Sequence, residues 1–244
     1  MTPLLELLQL GKVHEARQQA SARLLIQPQD PEALLTLARL AAADADIEGA
    51  EKLLQRAEAG GQNAETRLTR ACLDAARQDH ERAVEGFRKL LADQPDRLDA
   101  LFGLASALAY QEHYAEALGY FQKLTELAPE NAHYHYHLGR NFLELQRVDE
   151  AVDSLSRSLT EDPQHVDSYL VLSRALSLAN QHGEAQELLE MGLKLMPRQN
   201  HLSNELGNLR LQRDHAVSRV EKSKAASLAR VRARIQEALT MANL

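Results

Sequence analysis

Residues 133–137 read His-Tyr-His-Tyr-His, the densest run of potential ligand side chains in the chain. Three arrangements compete for it. His133 and His137 are four apart, so on a helix they share a face and can hold zinc if Glu144 or Asp167 supplies a third ligand. Strict alternation instead suits a half-buried strand. A helix turns about 100° per residue and spreads the alternation around its axis. His135 and Tyr134 then face neighbouring helices, and His133, Tyr136 and His137 share the opposite side. The metal arrangement is the weakest. Tyr134 follows His133, so the metalloprotease helix motif is absent, and the adjacent Arg140 repels a cation. No metal or cofactor is expected.

Other chemistry is sparse. There is no phosphate-binding glycine loop, no nucleophile elbow and no cysteine metal spacing. Acidic pairs such as Glu161-Asp162 read as solvated. The single cysteine, Cys72, excludes an internal disulfide and suits a reducing compartment, so a cytoplasmic location is expected. The opening MTPLLELLQLGKVHEA has Glu6 inside its apolar run and no basic residue ahead of it, unlike a signal peptide. No apolar stretch is long enough to span a membrane. A non-catalytic protein follows from these features.

The elements that must position these residues show in the composition. The chain has 244 residues, is 44% hydrophobic but only 4% aromatic, and has no tryptophan. Its apolar content is mainly Ala and Leu, strong helix formers, so the chain reads as all-helical. A period organises it. Alanines recur at 16, 50, 83, 117, 151 and 185, in steps of 34, 33, 34, 34 and 34. Four residues on stand Ala20, Leu54, Phe87, Phe121, Leu155 and Leu189. Twelve on stand Pro28, Gln62, Pro95, Pro129, Pro163 and Pro197. Pairs of leucine and a small residue recur as Leu37-Ala38, Leu104-Ala105, Leu138-Gly139, Leu172-Ser173 and Leu206-Gly207. Each unit therefore holds two helices joined by a turn. The small residue permits close approach, the larger one fills the gap between units, and the proline stops the second helix.

These residues resemble the tetratricopeptide repeat family over nearly the whole chain. The resemblance implies an all-α, right-handed superhelical solenoid of antiparallel helix pairs with a concave groove. About six repeats are expected over residues 1–199, the first with a shortened leading helix from about Pro3 to Gln9. A seventh leading helix from about His201 and a basic capping helix fill residues 200–244. The turn glycine of the family stands only at Gly11; Gln78, Glu112, Gln146 and Asn180 replace it elsewhere. The dense Leu4, Leu5, Leu7 and Leu8 should cap the stack or meet a second copy.

The step of 33 asks where a residue is missing. Counting 34 forward from Leu34, Leu37, Ala38 and Ala41 gives Leu68, Ala71, Cys72 and Ala75, a clean apolar face. Counting 34 back from Leu101, Leu104, Ala105 and Leu108 gives Arg67, Arg70, Ala71 and Asp74, which would bury three charges without partners. The gap is therefore expected in the turn near Ala76 to Glu81. Cys72 then occupies a small-residue slot and is buried packing, not a reactive thiol.

In this family the exposed side of each leading helix lines the groove. Here that stripe holds Phe102, His133, Tyr136, His137, Arg140, Arg174, Asn204 and Asn208. Arg39 holds the Arg140 position near the N-terminus, with Leu73 and Ser106 between. Arginine offers a planar fork for carboxylates, and asparagine pairs with a peptide backbone in either sense. The expected function is a scaffold binding a protein or peptide partner, acidic or carboxylate-bearing, in the groove. Against it, Arg140 and Arg174 would merely pair with Glu144, Asp167 or Glu205. Two other readings are a repeat module partnered with or fused to an enzyme of glycosyl-, sulfo- or oxygenase type, and nucleic-acid association through the tail. From Leu209 onward the chain has eight basic and three acidic residues, so the tail carries +5 and the rest −12 of the net −7. That acidic body argues against a nucleic-acid partner. In the tail, Leu228, Val231, Ile235 and Leu239 form one apolar helical face, for capping the stack, for a homodimer, or for an acidic partner or membrane surface.

Overall fold

The computed structural model describes residues 4–9 and 11–211. All regular structure among them is α-helical. The helices are α1 (Leu4–Gln9), α2 (Val13–Ile26), α3 (Pro31–Ala43), α4 (Ile47–Ala59), α5 (Ala64–Ala76), α6 (His80–Asp93), α7 (Leu98–Tyr110), α8 (Tyr114–Leu127), α9 (Ala132–Glu144), α10 (Val148–Glu161), α11 (Val166–Leu178) and α12 (His182–Leu195). A further helical stretch occupies residues 200–211. The expected tail helix lies outside the described residues. Two compact units divide the chain, Met1–Leu145 and Gln146–Leu244.

Local chemistry sets the helix boundaries. Asp30, Asp46, Asn63, Asp79 and Asn131 each accept a hydrogen bond from a first-turn amide. Such caps satisfy amides that have no partner within the helix. Prolines 28, 95, 129, 163 and 197 stand just beyond the ends of α2, α6, α8, α10 and α12. The periodic alanines 16, 50, 83, 117, 151 and 185 are all buried, as are the larger residues one turn on. The first unit begins with an apolar cluster of Leu4, Leu7, Ala16, Ala20 and Ala33, so α1 covers α2 and α3 within its own chain.

Turn geometry survives the loss of glycine. Gly11, Ala45, Gln78, Glu112, Gln146 and Asn180 all have φ between 59° and 71°. In five of these turns the next amide reaches back to a carbonyl in the last turn of the preceding helix: Lys12 to Leu7, Asp46 to Ala41, Asp79 to Asp74, His113 to Leu108 and Gln181 to Leu176, at 2.8–2.9 Å. That bond is the Schellman closure, which normally favours glycine. Position, not residue type, dictates the left-handed conformation here.

The missing residue is not where the sequence placed it. Helices α3, α5, α7, α9 and α11 all have 13 residues; α2, α6, α8, α10 and α12 have 14, but α4 has 13. The gap falls at the end of α4, beside Gly60-Gly61. Ala71, not Cys72, therefore fills the small-residue slot. Leu73 belongs to the α3–α4 core, and Cys72 takes the position in the Arg39–Arg140 column expected for Leu73. Two of the three charges judged too costly to bury have partners. Arg67 meets Asp93 at 2.8 Å, and Arg70 bridges Glu51 and Glu58, each at 2.8 Å. Asp74 is buried, and burial pushes its carboxyl above the usual range.

In the second unit, α11 packs on α12 and residues 200–211 follow. Gly192 brings the α12 backbone against Tyr169 and Leu202, so that an added Cβ would lie 3.0 Å from the Tyr169 ring. The Tyr169 hydroxyl donates to the Pro163 carbonyl at 3.0 Å, and Arg210 meets Glu190 at 2.8 Å.

Candidate functional site

The histidine–tyrosine run is helical, within α9, and it splits between two sides as helical spacing requires. His135 is buried, with Nε2 2.8 Å from the Pro129 carbonyl oxygen. Tyr134 is half-buried, and burial pushes its phenol pKa upward. His133, Tyr136 and His137 lie on the other side with α7 and α8. Phe102 of α7 meets rings of both sides, with centroids 5.3 Å from His133, 4.9 Å from His137 and 5.8 Å from Tyr134. His137 also stacks on Phe121 of α8 at 5.8 Å and 15°. His133 and His137 approach to 3.1 Å between their Nε2 atoms, so at most one proton can lie between them. Among the described residues no group of three His, Cys, Asp or Glu side chains is placed to hold a metal.

A cleft of about 460 Å³ opens beside this cluster. Phe102, Phe121 and His137 form its apolar wall; Ser106, Glu112, Tyr114, Arg140, Asn141 and Glu144 supply polar groups. Arg140 is exposed, with its guanidinium carbon 5.7 Å from the Tyr136 ring centroid, a cation–π arrangement. Asn141 is buried and donates from Nδ2 to the Tyr114 carbonyl at 2.9 Å. Its Oδ1 and the buried Ser106 Oγ have no partner among the described residues.

Five of the eight residues expected from the sequence thus come together in the first unit: Phe102, His133, Tyr136, His137 and Arg140. The other three lie in the second unit, Arg174 on α11 and Asn204 and Asn208 within residues 200–211; all three are exposed. Among the described residues neither Arg140 nor Arg174 makes an ion pair, so neither is neutralised by Glu144, Asp167 or Glu205. Arg39, in the same column, does pair, reaching Glu65 and the Thr69 hydroxyl at 2.8 and 2.9 Å. Asn141, Tyr114 and Glu112 were not anticipated. Asn141 had a signal: one repeat either way the position holds Ala107 and Ala175, both buried.

A second, smaller cleft is lined by Ala38, Arg39, Thr69, Cys72 and Leu73. Burial pushes the Cys72 thiol up to about 11, so it stays protonated and weakly nucleophilic at neutral pH.

Two tetratricopeptide-repeat family models match the chain, over residues 105–166 and 142–204. Solved structures agree. MamA from Desulfovibrio magneticus is 19% identical with a TM-score of 0.61, over 69% of this chain and 96% of that one. A thermophilic tetratricopeptide-repeat protein of Thermus thermophilus is 20% identical with a TM-score of 0.60, over 74% and 99%. YrrB, described as a tetratricopeptide-repeat protein with an unusual peptide-binding site, is 18% identical with a TM-score of 0.57, over 76% and 96%. No curated protein matches the sequence. Residues 105–204 therefore match the tetratricopeptide-repeat family, and the solved structures share its all-α superhelical solenoid fold. No helix among the described residues is long and apolar enough to cross a membrane.

Proposed function

We propose that the chain is a non-catalytic scaffold that binds an extended, carboxylate-bearing segment of a protein partner. The candidate contacts are Phe102, His133, Tyr136, His137 and Arg140 in the first unit and, as a separate surface, Arg174, Asn204 and Asn208 in the second. One observation carries this reading: Arg140 and Arg174 are exposed and make no ion pair among the described residues, while Arg39 in the same column is paired. A guanidinium that makes no ion pair keeps its donor fork available to a ligand. The aromatic cluster beside Arg140 adds apolar area next to that charge. The family and the fold support a protein-interaction role, and YrrB offers a fold-level precedent for peptide binding.

The test is a random-peptide display library panned against the full chain. Selected peptides should carry acidic residues or a free carboxyl terminus. Replacing Arg140 and Arg174 together by Ala should weaken their binding at least about tenfold, since charge-assisted hydrogen bonds are worth ~1.5–3 kcal/mol each. Helicity should stay intact. His133→Ala with His137→Ala should have a smaller effect, and a chelator none. Selection of no peptide, or binding indifferent to both arginines, rejects the proposal.

A further inference from the structure

The cleft between α7, α8 and α9 holds more hydrogen-bond acceptors than its surroundings use. Asn141 is 2% exposed, and its Nδ2 donates to the Tyr114 carbonyl at 2.9 Å. That bond fixes the amide's orientation, because a flip would set two acceptors against each other. Oδ1 is left without a partner among the described residues, and so is the buried Ser106 Oγ. An unpaired buried acceptor costs free energy unless something donates to it. Packing does not explain the asparagine, since buried alanines fill the equivalent positions on α7 and α11.

Charge in the cleft points the same way. Glu112 and Glu144 line it against one guanidinium, Arg140. The Tyr114 phenol reports the balance: its pKa is raised, by desolvation first and then by Glu144 and Glu112, with Arg140 only partly opposing. Phe102 and Phe121 offer ring surface. A ligand that satisfies this cleft must donate several hydrogen bonds, carry positive charge and present a flat face to aromatic rings. A guanidinium does all three. An ammonium supplies the charge, but as a point without a planar fork or a stacking face.

We infer that the cleft receives an arginine side chain of the partner, which donates to Asn141 Oδ1 and Ser106 Oγ and is neutralised by Glu112 and Glu144. The inference deepens the peptide-binding reading and rests on it. The partner segment then carries an arginine for this cleft as well as a carboxylate for Arg140.

N-acetyl-arginine amide, titrated into the ¹⁵N-labelled full chain, tests the site directly through the Asn141 side-chain amide and Tyr114 backbone resonances. Saturable shifts at about millimolar probe are expected. N-acetyl-citrulline amide, a neutral isostere, should bind about tenfold more weakly. Asn141→Ala with Ser106→Ala should abolish the shift at Tyr114. Alanine is what α7 and α11 carry at the Asn141 position, so the fold should tolerate it, and unchanged circular dichroism confirms that. Equal binding of the citrulline probe, shifts that survive in the double variant, or no shift at all overturns the inference. No shift, with acidic peptides still selected by display, removes the arginine site and leaves the peptide reading standing. Arginine binding with no peptide selected does the reverse: the cleft is an arginine site and the peptide reading fails.

Discussion

Arg70→Leu tests whether the half-buried charges of α5 are held by their partners. At this position the next leading helix carries the fully buried Leu104, so leucine suits the repeat. The loss is electrostatic. Arg70 donates four hydrogen bonds, at 2.8 and 2.9 Å to Glu51 and at 2.8 and 3.2 Å to Glu58. Breaking a fully buried ion pair from one side costs ~3–5 kcal/mol. Here the Arg70 side chain is 31% exposed and those of Glu51 and Glu58 are 16% and 22% exposed. Solvent therefore screens part of the interaction, and Arg77 still meets Glu51 at 2.8 Å. A loss of about 2 kcal/mol is expected. Its pH dependence follows from Glu51, whose carboxyl lies below the usual range: burial opposes the shift, but Arg70, Gln55 and Arg77 together outweigh it. A depressed acid contributes stability that is present above its unfolded pKa, about 4.3. That stability is lost as pH falls through the folded value. Without Arg70, burial is opposed only by Gln55 and Arg77, so the carboxyl is less depressed. The penalty of the substitution should then be full at pH 7 and shrink on acidification through about pH 4. Urea unfolding followed by far-ultraviolet circular dichroism at both pH values measures it. A penalty under about 0.5 kcal/mol, the range of an ordinary surface change, or one equal at the two pH values, would refute the reasoning.

Gly103→Ala should destabilise the first unit by about 1–3 kcal/mol in the same assay. A Cβ there would lie 2.4–2.9 Å from the ring of Phe87, which is buried; unchanged stability would mean the ring moves freely. Gln78, at φ 64°, sits where glycine is unstrained. Gln78→Gly should raise the melting temperature slightly and Gln78→Val should lower it, by about 1 kcal/mol or more in stability. The reverse order of the two variants rejects a left-handed residue at this turn.

The period of 34, the all-α class and the split faces of the histidine–tyrosine run were legible in the sequence because each rests on local rules. Proline ends a helix, alanine permits close approach, and helical spacing sends His135 inward and His133 outward whatever surrounds them. The register of α5 was not legible, because the cost of burying Arg67, Arg70 and Asp74 depends on what they meet. Asp93 follows α5 by a whole helix, and Glu51 and Glu58 precede it on α4. The sequence could count the charges but not their distances, and the apolar alternative won by default. Cys72 moved to the Arg39–Arg140 column for the same reason. The ligand column was readable as a list, yet which arginines were already neutralised was not. Arg39 meets Glu65, whereas Arg140 lies over the Tyr136 ring and makes no ion pair among the described residues, a difference set by where neighbouring helices place their carboxylates. The Asn141 amide, fixed by one carbonyl of α8 and left with an open acceptor, belongs wholly to tertiary structure. Hydrogen-bond satisfaction is a property of pairs brought together by packing, whereas periodicity is a property of one chain read in order.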